Sequence, residues 1–212
     1  QLRIYCSKEI MKQFWHNFKI VLNTLAFVIV ISSIAGTYHY YNYQLQAKER
    51  SLIELPDFEH TNNQQFLDNV NQCVDYLYHS DGNLQSVNRE LLLAQAALES
   101  GWGTSRFARE GHNLFGMRTY DLTEPHMLPS NNPKKWGVKV YIHECDSVLH
   151  YINTLNNGTA FEKYQQLRKK GENDPIKLLH TLDSYAADKK YFVKIEGIIK
   201  KIREEYTLNY IK

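Results

Sequence analysis

The stretch that determines the fold is LLLAQAALESGWGTS, residues 91–105. The residues before Glu99 are apolar on almost every side of a helix, and such a helix lies in the middle of a domain rather than on its surface. We therefore predict a central helix over 87–100, with Ser86 as its N-cap and Gly101 as its stop. Glu99 is the lone carboxylate at the end of this apolar stretch.

Further helical patterns flank the central helix. Before it, apolar residues recur at three- and four-residue intervals over 64–78, which is typical of an amphipathic helix. The turn signal Asp81-Gly82-Asn83 ends that helix. After the central helix, the sequence predicts helices over 104–109, 146–155, 161–168, 176–182 and 191–206.

The helical period disappears between residues 113 and 141. Residues 117–120 and 137–141 resemble two short strands, joined by a long loop rich in proline and asparagine. The loop is too long for a tight hairpin and is a candidate binding loop. The sequence therefore predicts an α+β fold that is mainly helical, with a small β-lobe inserted after the central helix.

The N-terminal part has the features of an export segment. Residues 20–36 (IVLNTLAFVIVISSIAG) contain no charge, and basic residues precede them, so the N-terminus is expected on the cytoplasmic side. We favour an uncleaved transmembrane anchor over 20–37. A cleaved signal peptide, with Ser33-Ile34-Ala35 as its small-x-small site, is the alternative. Met11 is a candidate for the true start of the chain.

This interpretation divides the chain into four parts. They are a cytoplasmic basic segment 1–19, the anchor or signal peptide 20–37, a stalk 38–60 and a globular domain 61–212. The domain is then expected in the cell envelope, anchored to the inner membrane on its periplasmic side, or secreted if the apolar segment is cleaved.

Composition and charge exclude several classes of protein. With 43% hydrophobic and 23% charged residues, the chain is globular rather than disordered. A net charge of +2 gives no strong field that favours nucleic acid, so we expect no nucleic-acid partner. Histidines and cysteines show no metal-ligand spacing, so we predict no metal and no cofactor. Export permits a Cys73–Cys145 disulfide, and two buried free thiols fit the sequence at least as well.

Glu99 is the candidate catalytic group. Two effects are expected to raise its pKa: the partial negative charge of the helix C-terminus, and desolvation by apolar neighbours that include Trp102. A carboxyl group that stays protonated near neutral pH can protonate the leaving oxygen of a glycosidic bond. The glycines on both sides of Trp102 would let the backbone approach a substrate closely.

Three motifs resemble the glucosaminidase family of bacterial cell-wall hydrolases, glycoside hydrolase family 73. The first, LAQAALESGWGTS over 93–105, is long and specific, and the second is Asn113-Leu114-Phe115-Gly116. The third is Tyr185-Ala186-Ala187-Asp188, followed by Tyr191 and Lys194-Ile195, and is similar to the family's C-terminal Tyr-Ala-Thr-Asp signature. Together the motifs cover most of the predicted domain.

The resemblance implies a lysozyme-like fold and hydrolysis of β-1,4 bonds in the glycan strands of peptidoglycan, usually after N-acetylglucosamine. Glu99 falls on the family's general acid, and Tyr185 falls on a cleft tyrosine that assists catalysis. The residues expected to bind substrate or line its cleft are Trp102, Asn113, Phe115, Gly116 and Tyr191.

The family also places a second carboxylate on the β-lobe, and three residues compete for that role. Glu124 is preferred because it lies in the long loop before the second strand. Asp121 is a near rival, and Glu144 is weaker because it stands where a strand runs into a helix. An inverting mechanism would place the two carboxyl groups about 6.5–9.5 Å apart. Catalysis assisted by the acetamido group of the sugar would need no such base.

Two other functions are compatible with the same residues. A lytic transglycosylase shares the lysozyme-like fold and one essential glutamate but forms an anhydro product. A catalytically silent wall-binding scaffold would use the fold without the reaction. The long motif around Glu99 and the presence of Tyr185 favour a hydrolase whose partners are glycan strands and, through the N-terminal helix, the membrane.

Overall fold

Two units make up the chain, Gln1–Leu52 and Ile53–Lys212. The computed structural model describes residues 2–50, 54–130, 135–183 and 189–208. The first unit is a helix, and the second is the mainly helical α+β domain that the sequence predicts.

The N-terminal unit is one long helix, α1, over Leu2–Arg50. Within it, Met11–Asn42 is long and apolar enough to cross a membrane, although a signal sequence near an N-terminus has the same properties. The helix extends beyond the predicted apolar segment and continues through the first part of the segment interpreted as a stalk. Length and composition alone support an anchor, so the division into anchor and stalk stays a prediction.

Seven α-helices lie in the described part of the second unit. They are α2 (Asn63–Ser80), α3 (Arg89–Ser100), α4 (Arg106–Gly111), α5 (Glu144–Asn157), α6 (Glu162–Lys169), α7 (Pro175–Leu179) and α8 (Lys189–Glu205). A 3-10 turn over Thr159–Phe161 precedes α6. Each predicted helix is therefore present. α5 begins two residues early because His143 and Asp146 form a capping box with the backbone there.

The start of α3 differs from the prediction. Ser86 is wrong as the N-cap: Asn88 caps the helix, because its side-chain oxygen accepts a hydrogen bond from the amide of Leu91 at 2.9 Å. The side-chain amide of Asn88 donates to the carbonyl oxygen of Asn173 at 2.8 Å. This second contact spans 85 residues of chain, so no local pattern could indicate it.

The β-lobe is a three-stranded antiparallel sheet in the order β1-β3-β2. Its strands are β1 (Arg118–Thr119), β2 (His126–Met127) and β3 (Gly137–Lys139). The prediction of two strands is wrong, because β2 lies in the expected loop and a two-residue strand has no alternation to detect. Gly137 lets β2 approach the central strand, since a Cβ at this position would lie 2.5 Å from the ring of His126.

The core of the domain forms around α3. Residues 91–97 of this helix are all buried, and the helix packs against α2, α7 and α8. α5 packs on α2, and a disulfide between Cys73 and Cys145 joins these two helices. The cysteines thus form a bridge rather than free thiols. At its C-terminal end α3 emerges from the core, and Glu99 is exposed to solvent.

We expect the Cys73–Cys145 bridge to contribute much of the domain's stability. The bonded cysteines are 72 positions apart, and a cross-link over such a loop stabilises a fold by about 2–5 kcal/mol, chiefly by restricting the unfolded chain. Replacing both by alanine in the detergent-solubilised full chain should lower the midpoint of denaturant unfolding correspondingly. Cys6→Ala, in α1, is the control. A double variant that unfolds at the parent's midpoint would contradict this role.

Candidate functional site

Glu99 lies in the last turn of α3, directly before a tight reversal of the chain. Gly101, Trp102 and Gly103 all have positive φ angles, of 60°, 58° and 77°. Gly101 ends the helix in the left-handed conformation, which glycine adopts without a Cβ clash. A positive φ at a tryptophan is strained, and such strain is concentrated at functional sites. The reversal leaves Glu99 at the exposed end of a buried helix.

The carboxyl group of Glu99 is accessible, but the protein around it removes much of its hydration. This partial burial is the largest cause acting on its pKa and raises it above the ordinary value for glutamate. A hydrogen bond with Tyr191 and the positive charge of Lys194, both on α8, lower the pKa in part. The direction agrees with the sequence-based expectation, which did not include these two neighbours.

Gly116 lies directly beside the Glu99 carboxylate. It has a φ of 62°, and a Cβ at this position would lie 4.0 Å from Oε2 of Glu99. The backbone after α4 therefore passes along the open side of the carboxylate. A cavity of about 600 Å³ opens next to Gly103 and Thr104, and Glu99 does not line it. Glu99 is exposed to solvent outside this cavity, so a ligand reaches it from the surface.

Tyr191 is a buried neighbour of Glu99 rather than an exposed contact for substrate. It is 7% exposed, and its hydroxyl forms hydrogen bonds with Glu99 and with Nε2 of Gln95, the latter at 2.8 Å. Burial, the largest cause, raises the pKa of Tyr191, so the hydroxyl keeps its proton. Gln95 is fully buried, and sequence reasoning missed it. A lone polar residue in an all-round apolar helix must find partners, which was the available signal.

Asn113 and Phe115 are buried parts of the scaffold. The side-chain amide of Asn113 donates to the carbonyl oxygens of Met117 and Lys139, at 2.9 and 2.8 Å. Its side-chain oxygen accepts from the backbone amides of Phe115 and Met117, at 3.3 and 3.0 Å. The ring of Phe115 stacks on Tyr151 with centroids 4.1 Å apart. These two residues hold the β-lobe and the floor beneath Glu99 instead of presenting side chains to solvent.

Trp102 packs mainly against protein. Its ring contacts those of Phe66 and Tyr206, with centroids 6.2 and 5.8 Å apart. The ammonium group of Lys201 lies 5.7 Å from the ring centroid. These contacts fix the chain reversal against α2 and against the end of α8. The ring is therefore half-buried packing next to the site, and not an open platform for a sugar.

Glu124 is held on the β-lobe by two partners. Its carboxylate lies 3.1 Å from the ammonium group of Lys139 on β3 and accepts a hydrogen bond from the hydroxyl of Thr119 on β1 at 3.0 Å. The hydrogen bond from Lys139 is the largest cause that lowers its pKa. An ionised, partly exposed carboxylate can act as a base towards water, although each partner weakens its basicity.

The two rival carboxylates are engaged differently. Asp121 is exposed and accepts hydrogen bonds from the hydroxyl and the backbone amide of Thr123, at 2.6 and 2.9 Å, which lower its pKa and close a turn. Glu144 is the first residue of α5, and its side chain, 13% exposed, lies 2.8 Å from Nδ1 of His112. Glu124 is the one of the three that bridges two strands of the lobe.

Tyr185 lies outside the described residues, together with the rest of its motif, 186–188. It belongs to the segment between α7 and α8, and α8 carries both groups that act on the pKa of Glu99. Its catalytic role stays a prediction from the motif resemblance.

One cluster of potential metal ligands occurs among the described residues. The ligand atoms of Cys73, His143 and Cys145 lie within 4.8 Å of one another. Both sulfur atoms are used in the disulfide. Nδ1 of His143 accepts from the amide of Cys145 at 3.0 Å, and Nε2 lies 3.0 Å from the carbonyl oxygen of Pro56. With every ligand atom engaged, the oxidised cluster does not fit a metal.

A family model called glucosaminidase, described as mannosyl-glycoprotein endo-beta-N-acetylglucosaminidase, matches residues 77–204. The chain is 32% identical to protein bax of Escherichia coli (strain K12) over 108 residues, which are 48% of this chain and 38% of that protein. It is 26% identical to the exo-glucosaminidase LytG of Bacillus subtilis (strain 168) over 147 residues, 65% of this chain and 51% of that protein. The chain thus spans about half or less of these curated relatives.

A solved structure is similar over most of the chain. It is the catalytic domain of the autolysin Auto from Listeria monocytogenes, with a TM-score of 0.52 and 23% identity, over 74% of this chain and 93% of that one. At this identity the similarity shows the fold alone. The expectation of a lysozyme-like domain is confirmed.

We expect Asn113→Ala to loosen the β-lobe. The substitution leaves the backbone amides of Phe115 and Met117 without their side-chain acceptor, at a cost of about 1–3 kcal/mol. Hydrogen exchange of the Met117 amide, which bonds to Asn113, should accelerate, while amides within α3 keep their protection. Asn157→Ala, an exposed position at the end of α5, is the matched control. Unchanged exchange at Met117 would show that the lobe does not depend on Asn113.

Proposed function

This chain belongs to the glucosaminidase family of glycoside hydrolases, and we propose from that membership that it cleaves β-1,4 glycosidic bonds in the glycan strands of bacterial peptidoglycan. We further propose that it cuts after N-acetylglucosamine, as a β-N-acetylglucosaminidase with Glu99 as general acid. The motif over 93–105 supports this bond, and so does the exo-glucosaminidase among its relatives.

The position and raised pKa of Glu99 together carry the proposal. A carboxyl group whose pKa is raised by burial, at an accessible helix end, can donate its proton to the glycosidic oxygen as the carbon–oxygen bond breaks. Water then adds to the anomeric carbon, keeps one proton in the new hydroxyl group and gives the other to a base. The Glu99 carboxylate that remains is stabilised by Tyr191 and Lys194 until it is protonated again.

The substrate and the location are proposed from two further features. Glu99 is exposed to solvent, so a long glycan strand can reach it. The apolar part of α1, preceded by Lys12 and Lys19, supports an anchor that leaves the domain outside the cytoplasm, in the periplasmic part of the envelope. Cleavage of α1 would release the same domain as a secreted enzyme.

For the second catalytic group we propose Glu124, as the base that activates water in an inverting reaction. Its contacts with Lys139 on β3 and Thr119 on β1 support a fixed, ionised carboxylate on the lobe. For Tyr185 we propose, from the motif alone, that it orients the substrate or stabilises the oxocarbenium-like transition state.

Glu99→Gln should abolish cleavage. Glutamine keeps the shape of the side chain but has no proton to donate, so release of fragments should fall by about 10³-fold or more. The measurement is mass spectrometry of borohydride-reduced fragments that the detergent-solubilised full chain releases from purified peptidoglycan. Glu110→Gln, an exposed carboxylate on α4, is the matched control.

The fragments also identify the bond. Reduced N-acetylglucosamine ends that disappear in Glu99→Gln would support the proposal in full. Reduced muramic acid ends would keep Glu99 as the acid but change the bond, and anhydro ends would indicate a lytic transglycosylase. A folded chain that binds peptidoglycan and releases nothing would favour the scaffold instead.

Glu124→Gln should lower kcat by about 10²-fold if this residue activates water, while the dissociation constant for glycan fragments stays unchanged. Glutamine can still accept the hydrogen bond from Thr119, so the lobe keeps its main contacts. Glu110→Gln is again the control, and Asp121→Asn tests the near rival on the same lobe. A parental kcat in Glu124→Gln would contradict its role as the base: a loss in Asp121→Asn would then assign the base to Asp121, and parental values in both would favour assistance by the sugar's acetamido group.

A further inference from the structure

A chain of buried hydrogen bonds leads through the core to Glu99. The hydroxyl of Tyr151, on α5, donates to the side-chain oxygen of Gln95, on α3. Nε2 of Gln95 donates to the hydroxyl oxygen of Tyr191, on α8, at 2.8 Å. The Tyr191 hydroxyl in turn bonds to the Glu99 carboxylate. Tyr151 and Gln95 are fully buried, so water does not compete for these bonds.

The protons in this chain can all point towards Glu99. A tyrosine hydroxyl has one proton, and an amide side chain has distinct donor and acceptor ends. Because Tyr151 donates to the oxygen of Gln95, the NH₂ end of Gln95 faces Tyr191. The oxygen of Tyr191 therefore accepts from Gln95, and its single proton is left for Glu99. If the amide were turned round, its oxygen would compete with Glu99 for that proton.

We propose that Gln95 and Tyr151 are positioning residues that fix the direction of these hydrogen bonds, so that the Tyr191 hydroxyl donates a hydrogen bond to the Glu99 carboxylate whenever Glu99 has given up its own proton. The inference rests on the proposed function, in which Glu99 is the general acid. Neither Gln95 nor Tyr151 touches the substrate. Both act through Tyr191.

Packing holds the far end of the chain. The ring of Tyr151 stacks on that of Phe115 with an interplanar angle of 15°, and Phe115 belongs to the backbone segment that passes Glu99 at Gly116. Tyr151 is thus fixed by the floor of the site, and its hydroxyl has a defined direction. Because this hydroxyl donates to the side-chain oxygen of Gln95, the orientation of the Gln95 amide is fixed as well.

The series of hydrogen bonds offsets an unfavourable consequence of the burial of Glu99. Burial favours protonated Glu99, as an acid catalyst needs, but it also makes the carboxylate left after proton transfer costly. Among the described residues, the titratable groups that act on Glu99 are Tyr191 and Lys194, both from α8. A donor from Tyr191 stabilises the carboxylate, and hydrogen bonds in series strengthen one another in a low-dielectric core.

The test is the titration of Glu99 in Tyr151→Phe and Gln95→Met variants of the full chain in detergent. Tyr151→Phe keeps the ring on Phe115, and Gln95→Met keeps the side-chain length but neither polar end. Carboxyl-carbon NMR with labelled glutamate, assigned through Glu99→Gln, reads this pKa without any reaction. The hydrogen bond from Tyr191 lowers the pKa of Glu99, so weakening it should move the titration and the alkaline limb of kcat/KM to higher pH. We expect a move on the order of half a pH unit.

Two further variants distinguish an effect transmitted through these hydrogen bonds, which we call the relay, from a general loosening of the core. Tyr164→Phe removes the hydroxyl of another fully buried tyrosine, one that faces Arg168 and Asn88, and should leave the titration unchanged. In a Tyr191→Phe background, Tyr151→Phe should have no further effect, because the link between them is gone. An additive effect there would overturn the relay.

Failure of the relay and failure of the proposed function give different results. If the parent does not cleave glycan, or Glu99→Gln still does, the proposed function falls. If the parent cleaves and needs Glu99, but Tyr151→Phe and Gln95→Met titrate as the parent does, the relay alone falls. Should Gln95→Met not fold, Tyr151→Phe and its double variant decide the matter.

Discussion

Burial of α3 on every side is the constraint on which the rest of the domain depends. A helix whose residues 91–97 are all inside must be surrounded, and α2, α7 and α8 supply that surface. Such a helix is exposed to solvent at its ends, and the chain reversal at Gly101 sets the C-terminal end of α3. The candidate acid therefore combines two properties that usually conflict. Glu99 is accessible, yet it stands on a rigid buried element whose surroundings raise its pKa.

The same constraint explains the polar group inside the core. Gln95 lies on the buried part of α3, and leaving its amide without partners would cost free energy that a domain of this size cannot easily offset. Tyr151 on α5 and Tyr191 on α8 provide the hydrogen-bond partners of this amide. The hydrogen bonds that satisfy the buried amide of Gln95 therefore also connect it, through Tyr191, to the candidate acid. This is why the polar residue lies one helical turn before Glu99, on the same face.

The features that the sequence predicts depend on residues close together in the chain, whereas the features that it misses depend on residues far apart in the chain. Helical periodicity located the helices of the domain, and the glycine after Ser100 marked the end of α3, because these signals are local. The missed features join residues far apart in the chain, Asn88 with Asn173 and Gln95 with Tyr191, and the sequence leaves the equally distant Cys73–Cys145 disulfide open against two free thiols. The motif around Glu99 made it the candidate acid, whereas burial of Asn113, Phe115 and Tyr191 appears only in the fold.

The segment 113–116 explains how the two candidate carboxylates are related in space. Asn113 bonds to the carbonyl oxygen of Lys139, and the ammonium group of Lys139 holds Glu124 on the lobe. Two residues later, Phe115 stacks on Tyr151, which begins the hydrogen bonds that end at Glu99. One four-residue segment thus contributes to the position of both carboxylates. Asn113 acts on Glu124 through Lys139, and Phe115 acts on Glu99 through Tyr151. A change in the lobe's short strands would displace Glu124, while Glu99 would keep its place through the helices. The candidate acid is fixed by the core, and the position of any base on the lobe is fixed by this segment.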